Sequence, residues 1–341
     1  MCRKCNAWRG ELGLEPYFFQ YVEHVCSVFD EVKRVLKPTG TLWVNMGDTY
    51  GNGKGATPKS LCQIPNRFAI EMAQRGWILR NEIIWHKPNA MPSSVKDRFT
   101  VDFEKVFFFS KSGTYYFETQ FEPMESNLHD IKRMSTGRKA YKGKWSGDSK
   151  QLNMPQSWDG RRIQSAFVAG GTLGRNKRTV WRISTRAFPE AHFAVFPQEL
   201  VETPVKASCP EFVCTKCAKP REKIFESVDV GRVQSDTKYK TKIDNAGRLA
   251  EKRQAYRALG FENPPPPRLV SYTKCGCGAR FEPGIVLDPF IGSGTTAVVA
   301  LALNRRFIGI ELNPDYAKMA RRRISQLFPN ESIDRKQGDM K

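Results

Sequence analysis

One stretch near the C-terminus constrains the fold of this chain more than any other: residues 285–311, which read IVLDPFIGSGTTAVVALALNRRFIGIE. Its first apolar run predicts a short buried strand that ends at Asp288, because Pro289 cannot continue a ladder of hydrogen bonds. A Gly-Ser-Gly turn, an apolar helix and a second apolar strand follow, and the second strand ends on Glu311. This order of strand, glycine turn, helix and acid-tipped strand predicts a nucleotide-binding βαβ unit.

The two acids indicate which nucleotide such a unit would bind. Glu311 follows the turn by roughly the 20 residues at which an acid accepts hydrogen bonds from a ribose diol. Asp288 lies at the turn itself, where its charge would repel the pyrophosphate of a dinucleotide and attract the ammonium group of S-adenosylmethionine. The alternative is an ordinary Rossmann-like turn with a structural aspartate. The charge therefore favours the methyl donor S-adenosylmethionine as the ligand.

The same stretch resembles the methyl-donor motif of the amino-group DNA methyltransferases, which modify cytosine N4 or adenine N6. That family has D-P-F-x-G-S-G-T-T followed by I-G-I-E-x-N-P, and this chain has DPFIGSGTT and then IGIELNP. The resemblance implies an α/β, doubly wound, Rossmann-like S-adenosylmethionine-dependent methyltransferase in permuted order, with the catalytic half before the donor-binding half. It assigns these residues to the donor: Asp288, Pro289, Phe290, Gly292, Ser293, Gly294, Thr295, Thr296, Glu311 and Asn313.

The charge of the chain fits a polyanionic partner. Lysine and arginine number 55 against 35 acids, a formal net charge of +20, which predicts binding to nucleic acid, and the resemblance narrows this to double-stranded DNA. The alternative is a basic protein without such a partner. No apolar run approaches the roughly 18 residues of a membrane span, so no membrane partner is expected. The resemblance implies the cytoplasm of a bacterial, archaeal or phage-infected cell, in a restriction-modification or phage-borne system.

Residues 1–117 are predicted to form the catalytic half of the methyltransferase domain, and residues 279–341 the S-adenosylmethionine-binding half. Apolar periodicity in the first half predicts alternating helices and strands. The expected helices span about 17–37 and 63–74, and the expected strands about 41–50, 77–85, 104–110 and 114–117. The last two strands are expected to be the arms of a hairpin that turns at Ser112-Gly113.

A loop in the catalytic half carries a second part of the resemblance. The family has W-x-K-P-N-x-x-P-S-S-x-x-D-R-[FY]-T, and residues 85–100 read WHKPNAMPSSVKDRFT. The resemblance implies an active-site rim whose members face the DNA or the target base; the alternative is a solvated loop. The residues so assigned are Lys87, Ser93, Ser94, Lys96 and Arg98.

Two further segments follow the catalytic half. Residues 118–179 are polar and basic with interleaved aromatic residues, which predicts a target-recognition insert that contacts DNA; the alternative is a disordered linker. Residues 180–212 contain a run similar to the family's A-H-F-A-x-F-P-x-x-L, whose aromatic residues cover the methyl donor. The residues that match this run and are assigned to the donor are His192, Phe193, Phe196 and Pro197.

Two cysteine pairs flank a charged and proline-rich span in residues 213–278. Cys214 and Cys217 form C-x-x-C, and Cys275 and Cys277 form the tighter C-x-C. Four thiolates suit a zinc ribbon with a structural Zn²⁺, and the alternative is four reduced thiols without metal. A further C-x-x-C at residues 2–5 is either half of a site or an incidental pair.

The catalytic loop of the resembled family is not found in the chain. Members hold the target base in [S/D/N]-P-P-[Y/F/W], which precedes a G-x-L-G-L-E-P segment that begins here at Gly10. The loop and its strand are therefore expected upstream of Met1, in a front-truncated domain whose two central strand edges are unpaired. Asp48 and Tyr50 of the GDTY run are assigned to the pocket wall, and no residue is assigned as catalytic.

The function expected from these features is site-specific DNA methylation, in which a methyl group moves from S-adenosylmethionine to the exocyclic amine of a flipped base. Cytosine N4 is favoured over adenine N6 on overall resemblance only. A second hypothesis is an inactive DNA-binding or donor-binding remnant that lacks the catalytic loop, and a third is methylation of RNA or protein. The sequence predicts neither the recognition sequence nor the oligomeric state.

Overall fold

The computed structural model describes residues 10–53, 55–123, 174–186, 196–226 and 268–329. The helices within these ranges are α1 (Phe18–Val35), α2 (Ile64–Gln74), α3 (Gln198–Ser208), α4 (Thr295–Ala302) and α5 (Pro314–Leu327). The strands are β1 (Thr41–Met46), β2 (Ile78–His86), β3 (Phe103–Ser110), β4 (Phe121–Pro123), β5 (Gly174–Asn176), β6 (Val180–Arg182), β7 (Val213–Cys214), β8 (Lys223–Glu226), β9 (Arg268–Tyr272), β10 (Phe281–Glu282), β11 (Ile285–Asp288) and β12 (Arg306–Gly309). No helix in the described ranges combines the length and the apolar character that crossing a bilayer requires.

The chain divides into two compact units. The first comprises Met1–Glu118, Arg178–Arg221 and Cys275–Lys341, and the second comprises Thr119–Lys177 and Glu222–Lys274. In the second unit the structure describes two antiparallel ribbons, β4 with β5 and β8 with β9. Most of the predicted target-recognition insert lies outside the described residues, so its expected DNA contacts stay a prediction.

A mixed four-stranded sheet with the order β1-β3-β2-β6 lies in the first unit. β3 pairs antiparallel with β1, from Thr41↔Ser110 to Met46↔Lys105, and antiparallel with β2 on its other side. β6 extends the sheet as a parallel neighbour of β2. The predicted hairpin is wrong: both edges of β3 are occupied by β1 and β2, and residues 114–117 form no strand.

Consecutive residues of β3 are apolar, and because side chains in a strand point alternately to opposite sides, they reach both faces of this sheet. Phe107 and Phe109 pack into a cluster built from α1 and α2, in which Phe68 is fully buried. Val106 and Phe108 pack into a second cluster on the opposite face. The apolar periodicity of α1 predicts a buried face that also includes Val35 and Leu36. The buried residues of the helix are Val22, Val25, Cys26, Phe29 and Val32, whereas Val35 in its last turn is 56% exposed. Because both faces are covered, the first unit has a mixed α/β core.

The predicted βαβ unit is present in the first unit. β11 and β12 pair in parallel, from Ile285↔Arg306 to Asp288↔Gly309, and α4 connects them. The sequence of α4 is almost wholly apolar, and every residue from Thr295 to Ala300 is buried, as expected for an enclosed helix. The two strands therefore end side by side, with an acid at or just beyond each tip.

β1 and β11 each pair on one side only within the described ranges, with β3 and β12 respectively. Residues of both strands line one cavity of about 560 Å³, together with residues of α1 and α3. A strand edge without a neighbour presents backbone N–H and C=O groups that no ladder satisfies. The cavity therefore borders one such edge of each strand, although β1 and β11 are far apart in the sequence.

Candidate functional site

The turn after β11 is a left-handed glycine bend. Gly292 and Gly294 have φ values of +52° and +84°, which residues with side chains rarely adopt. Gly294 also lies so close to α5 that a Cβ at this position would be 3.0 Å from the Cβ of Ala320 and 3.2 Å from its Cα. Both the backbone conformation and the packing therefore require glycine at position 294.

The carboxylate of Glu311 is tied to this bend. Oε2 accepts a hydrogen bond from the backbone N–H of Gly292 at 2.9 Å, and Oε1 accepts one from the N–H of Asn313 at 2.8 Å. The side chain of Asn313 in turn caps α5 by accepting from the N–H of Asp315 at 2.9 Å. Each carboxylate oxygen has a further lone pair, so Glu311 is held in place and can still accept hydrogen bonds from a ligand.

Asp288 lies on the other side of the bend, where its Oδ1 accepts a hydrogen bond from the N–H of Phe290 at 2.9 Å. Burial raises the pKa of Asp288 above the ordinary carboxyl value, hydrogen bonds from Thr296 and Phe290 oppose the rise, and the negative charge of Glu311 adds to it. Two acids at the tips of neighbouring strands give the bend an excess of negative charge, which a cationic ligand would offset.

Arg323 of α5 donates hydrogen bonds to the bend, a role that the sequence did not predict. Its Nη1 donates to the side-chain oxygen of Thr295 at 3.0 Å and to the carbonyl of Ser293 at 3.4 Å. Burial lowers the pKa of Arg323. The sequence predicts a solvated basic face on this helix, formed by Lys318, Arg321, Arg322 and Arg323. Arg321 and Arg322 are exposed as expected, whereas Arg323 is not. The spacing along the helix could have indicated this contact. Arg323 follows Ala320 by three residues and therefore lies on the same side of α5.

The cavity between β1 and β11 collects part of the predicted donor site. The predicted residues that line it are Phe196, Asp288, Pro289, Phe290 and Thr296. The predicted residues of the bend that do not line it are Gly292, Ser293, Gly294, Thr295, Glu311 and Asn313. Pro197 is buried at the start of α3, and His192 and Phe193 lie outside the described residues. The fold thus brings Phe196, from the middle of the chain, to the same space as the acid of the bend.

Asp48 and Tyr50 follow β1 and do not line this cavity. Oδ1 of Asp48 accepts hydrogen bonds from the backbone N–H of Thr49 at 2.9 Å and of Ile64 at 3.0 Å, which fixes the start of α2. The guanidinium of Arg98 lies over the ring of Tyr50, 3.4 Å from its centroid. Asp48 therefore has a structural task, and Arg98 of the loop predicted to face DNA is held against Tyr50.

The family model described as DNA methylase, for modification at N6 or N4, matches residues 10–212 and 279–322, which is most of the chain. The chain belongs to this family. The resemblance carried by DPFIGSGTT and IGIELNP is thereby confirmed, and with it the predicted enzyme class, an S-adenosylmethionine-dependent DNA amino-methyltransferase.

Relatives of this DNA methylase occur in restriction-modification systems. It is 29% identical over 337 residues to the type II methyltransferase M.Cfr9I of Citrobacter freundii, a match that covers 92% of this chain and 74% of the relative. It is 28% identical over 338 residues to M.SmaI of Serratia marcescens, covering 92% of this chain and 77% of that one. Among solved structures, the cytosine-N4-specific PvuII DNA methyltransferase is 16% identical, with a TM-score of 0.49 over 96% of this chain and 77% of its own.

The loop of this methylase that is predicted to face DNA is open to solvent. Every position from 91 to 100 is exposed. These positions include the predicted contacts Ser93, Ser94 and Lys96, and two large apolar side chains, Met91 at 87% exposure and Phe99 at 97%. The structure thus leaves this loop accessible to a partner.

Lys87 differs from the other predicted DNA contacts of the methylase. Its ammonium forms an ion pair with Glu104 and lies 4.5 Å from the centroid of the Trp85 ring. The backbone N–H of Lys87 also donates to the carbonyl of Asp102 at 2.7 Å. These contacts hold Lys87 at the end of the sheet and neutralise its charge locally.

The family match of the methylase stops at residue 212 and resumes at residue 279, so residues 213–278 fall outside the shared pattern. Four thiol sulfurs of that segment lie within 4.8 Å of one another, those of Cys214, Cys217, Cys275 and Cys277. Hydrogen bonds from backbone N–H groups, first that of Cys217, lower the pKa of Cys214 to about 6. Hydrogen bonds with the neighbouring thiols raise the pKa of Cys277 to about 12. The fold thus brings together the two cysteine pairs that the sequence singles out.

Proposed function

We propose that the protein transfers a methyl group from S-adenosylmethionine to an exocyclic amino group of a flipped base at a specific DNA sequence. Cytosine N4 is the favoured acceptor and adenine N6 the second. The observation that carries the proposal is the acidic glycine bend, in which Glu311 is fixed to Gly292 beside Asp288. A nicotinamide dinucleotide is disfavoured at this bend, because its pyrophosphate would meet the carboxylate of Asp288.

The residues around the bend suit each part of the donor. Glu311 can accept hydrogen bonds from the ribose hydroxyls, and Asp288 can pair with the ammonium group. Phe290, which is 47% exposed, and Phe196 offer aromatic surface to a flat ring or to a sulfonium. The bound donor supplies an electrophilic methyl group on a positively charged sulfur, and the two acids favour that charge.

The acceptor amine is a weak nucleophile, because its lone pair is delocalised into the base. A group that accepts hydrogen bonds from the amine as it becomes pyramidal lowers the barrier, and extrusion of the base from the duplex makes the amine accessible. The chain contains no [S/D/N]-P-P-[Y/F/W] sequence, and Asp48 and Tyr50 do not line the cavity that Asp288 and Phe196 share. We therefore assign no residue as the catalytic acceptor. Binding of donor and DNA without transfer is the alternative, and the similarity to type II methyltransferases does not favour it.

The parts of the chain support a division of tasks within this proposal. The catalytic half, residues 1–117, precedes the donor-binding half, residues 279–341, in the permuted order. The basic segment 118–179 is proposed to recognise the target sequence. The net charge of +20 supports binding to DNA, because lysine and arginine release counterions from the phosphates. The proposed setting is the cytoplasm of a prokaryotic or phage-infected cell.

Transfer of a labelled methyl group tests the proposed function. The protein is incubated with tritiated S-adenosylmethionine and duplex DNA, and the digested nucleosides are separated and identified by mass spectrometry. N4-methylcytosine is the expected product, and N6-methyladenine would assign the second acceptor. Calorimetric donor binding and DNA binding without label in the DNA would favour the binding-only function. Label in RNA but not in DNA would reject the substrate class.

A further inference from the structure

We infer that Cys214, Cys217, Cys275 and Cys277 bind one structural Zn²⁺, at a site outside the pattern that the family shares. The four sulfurs lie within 4.8 Å of one another. Zinc–sulfur bonds of about 2.3 Å in a tetrahedron place the sulfurs about 3.8 Å apart. The thiols therefore need to approach one another by at most about 1 Å to complete a four-thiolate site.

The turns that carry the two cysteine pairs share one backbone feature. The residue that follows each second cysteine, Ala218 after Cys217 and Gly278 after Cys277, has a left-handed backbone with φ of +56° and +63°. A left-handed residue other than glycine costs on the order of 1–3 kcal/mol and persists where the surrounding structure imposes it. Ala218 is therefore a strained position. It lies in the turn that places the sulfurs of Cys214 and Cys217 in the cluster.

Backbone N–H groups donate to the first sulfur of each pair. Those of Cys217 and Lys216 donate to the sulfur of Cys214, and that of Cys277 donates to the sulfur of Cys275. Such hydrogen bonds orient the sulfur, as the groups behind a metal ligand commonly do.

Packing alone gives this part of the first unit little stability. β7 and β10 contribute two residues each to their pairing. Within residues 210–221 and 275–284, the buried positions are Val213, Cys214 and Gly284. So small an apolar core does not hold two short strands together, and small modules of this kind use a metal or a disulfide instead. A metal that binds the folded site would add its binding free energy to the stability of this part of the chain.

Cys209 lies close to the cluster in the sequence but has a different role. A Cβ at Gly284 would be 2.7 Å from the sulfur of Cys209, so this thiol fills the space beside the glycine that precedes β11. Its carbonyl accepts hydrogen bonds from the buried guanidinium of Arg305 at 3.1 Å and 3.2 Å. Cys209 is thus a packing residue, and the ligand set is the two pairs.

Metal analysis of the full chain tests the inference. Protein purified from medium that contains zinc is expected to hold one zinc per chain by plasma mass spectrometry. Cys217→Ser and Cys277→Ser are each expected to lose most of it. The matched control is Cys62→Ser, which changes a buried cysteine outside the cluster and is expected to keep the metal. Metal-free wild-type protein, or full zinc content in both cluster variants, would overturn the inference.

A second measurement on the unmodified protein covers the case in which the cluster variants do not fold. Exchange of zinc for Co²⁺ is expected to give the visible absorption of a tetrahedral thiolate site. The same four thiols are expected to resist alkylation until a chelator is added, as located by peptide mass spectrometry. Equal alkylation with and without chelator, or a disulfide within the cluster, would overturn the inference. The outcome does not depend on methyl transfer, so this proposal and the proposed function can fail separately.

Discussion

The carboxylate of Glu311 accepts a hydrogen bond from the backbone N–H of Gly292 at 2.9 Å, so the acid just beyond β12 is joined to the glycine bend after β11. The second carboxylate oxygen accepts from Asn313, whose own side chain caps α5. The acid is therefore oriented by the backbone of the fold before a ligand arrives. A site ordered in this way loses less entropy when it binds, which would favour affinity for the proposed donor.

Glu311→Ala is expected to weaken the binding of S-adenosylmethionine roughly 10- to 100-fold, since hydrogen bonds to a charged group contribute about 1.5–3 kcal/mol. Isothermal calorimetry with the donor measures the change. The control is Asp315→Ala, which removes a nearby acid whose side chain is 82% exposed, and its affinity is expected to match that of the wild type. Unchanged affinity in Glu311→Ala would exclude Glu311 from the donor site.

Asp288→Asn is expected to stabilise the ligand-free protein near neutral pH and to weaken donor binding. Burial raises the pKa of Asp288, so the fold disfavours its charged form. Below its unfolded pKa, Asp288 is neutral in both states and its burial costs nothing extra. As the pH rises through the folded pKa, the buried side chain becomes charged and the fold loses stability. The gain in unfolding free energy of the variant should thus be largest near pH 7 and shrink towards about pH 4.

Urea unfolding of Asp288→Asn and wild type across this pH range measures the effect, with calorimetry for the donor. Asp315→Asn, which changes an exposed acid, is the control for the loss of one negative charge. A variant that is less stable than the wild type near neutral pH would contradict the account of Asp288, whatever its donor affinity.

Gly294→Ala is expected to lower the free energy of unfolding by about 1–3 kcal/mol, because alanine would be forced into a left-handed conformation. Its Cβ would also press against Ala320 of α5 at 3.0 Å. Gly113→Ala is the matched control, since a Cβ there meets nothing within 4 Å. Chemical denaturation of the two variants tests the difference, and equal stability of both would show that the bend tolerates a side chain.

Lys96→Ala and Lys87→Ala are expected to act differently on DNA binding. Lys96 is exposed, and if it contacts a phosphate its loss lowers the slope of log affinity against log salt concentration by about 0.9. The charge of Lys87 is paired with Glu104, so its substitution should leave that slope unchanged and reduce stability instead. Fluorescence anisotropy with labelled duplex DNA at several salt concentrations measures both. A lower slope in Lys87→Ala alone would reverse the two assignments.

Several tertiary relationships could not be predicted, because periodicity reports that a residue is buried but not which partner buries it. The run Phe103–Ser110 is recognisable as a strand, yet its place between β1 and β2 depends on register with two other segments. The predicted hairpin fails for that reason. Arg323 is one of three consecutive arginines, and only the packing of α5 against the bend separates it from its exposed neighbours.

The sequence by itself determined the family, the βαβ unit and the positions of its acids, because these depend on contacts within one continuous stretch. Strand, left-handed bend, helix and second strand are local structures, and their residue types follow from backbone conformation. Only the tertiary structure decided that β3 lies between β1 and β2, and that Arg323 contacts Thr295 of the bend. These contacts join segments that are distant in the sequence. Packing and strand register decide which of them form, and no local sequence pattern encodes either.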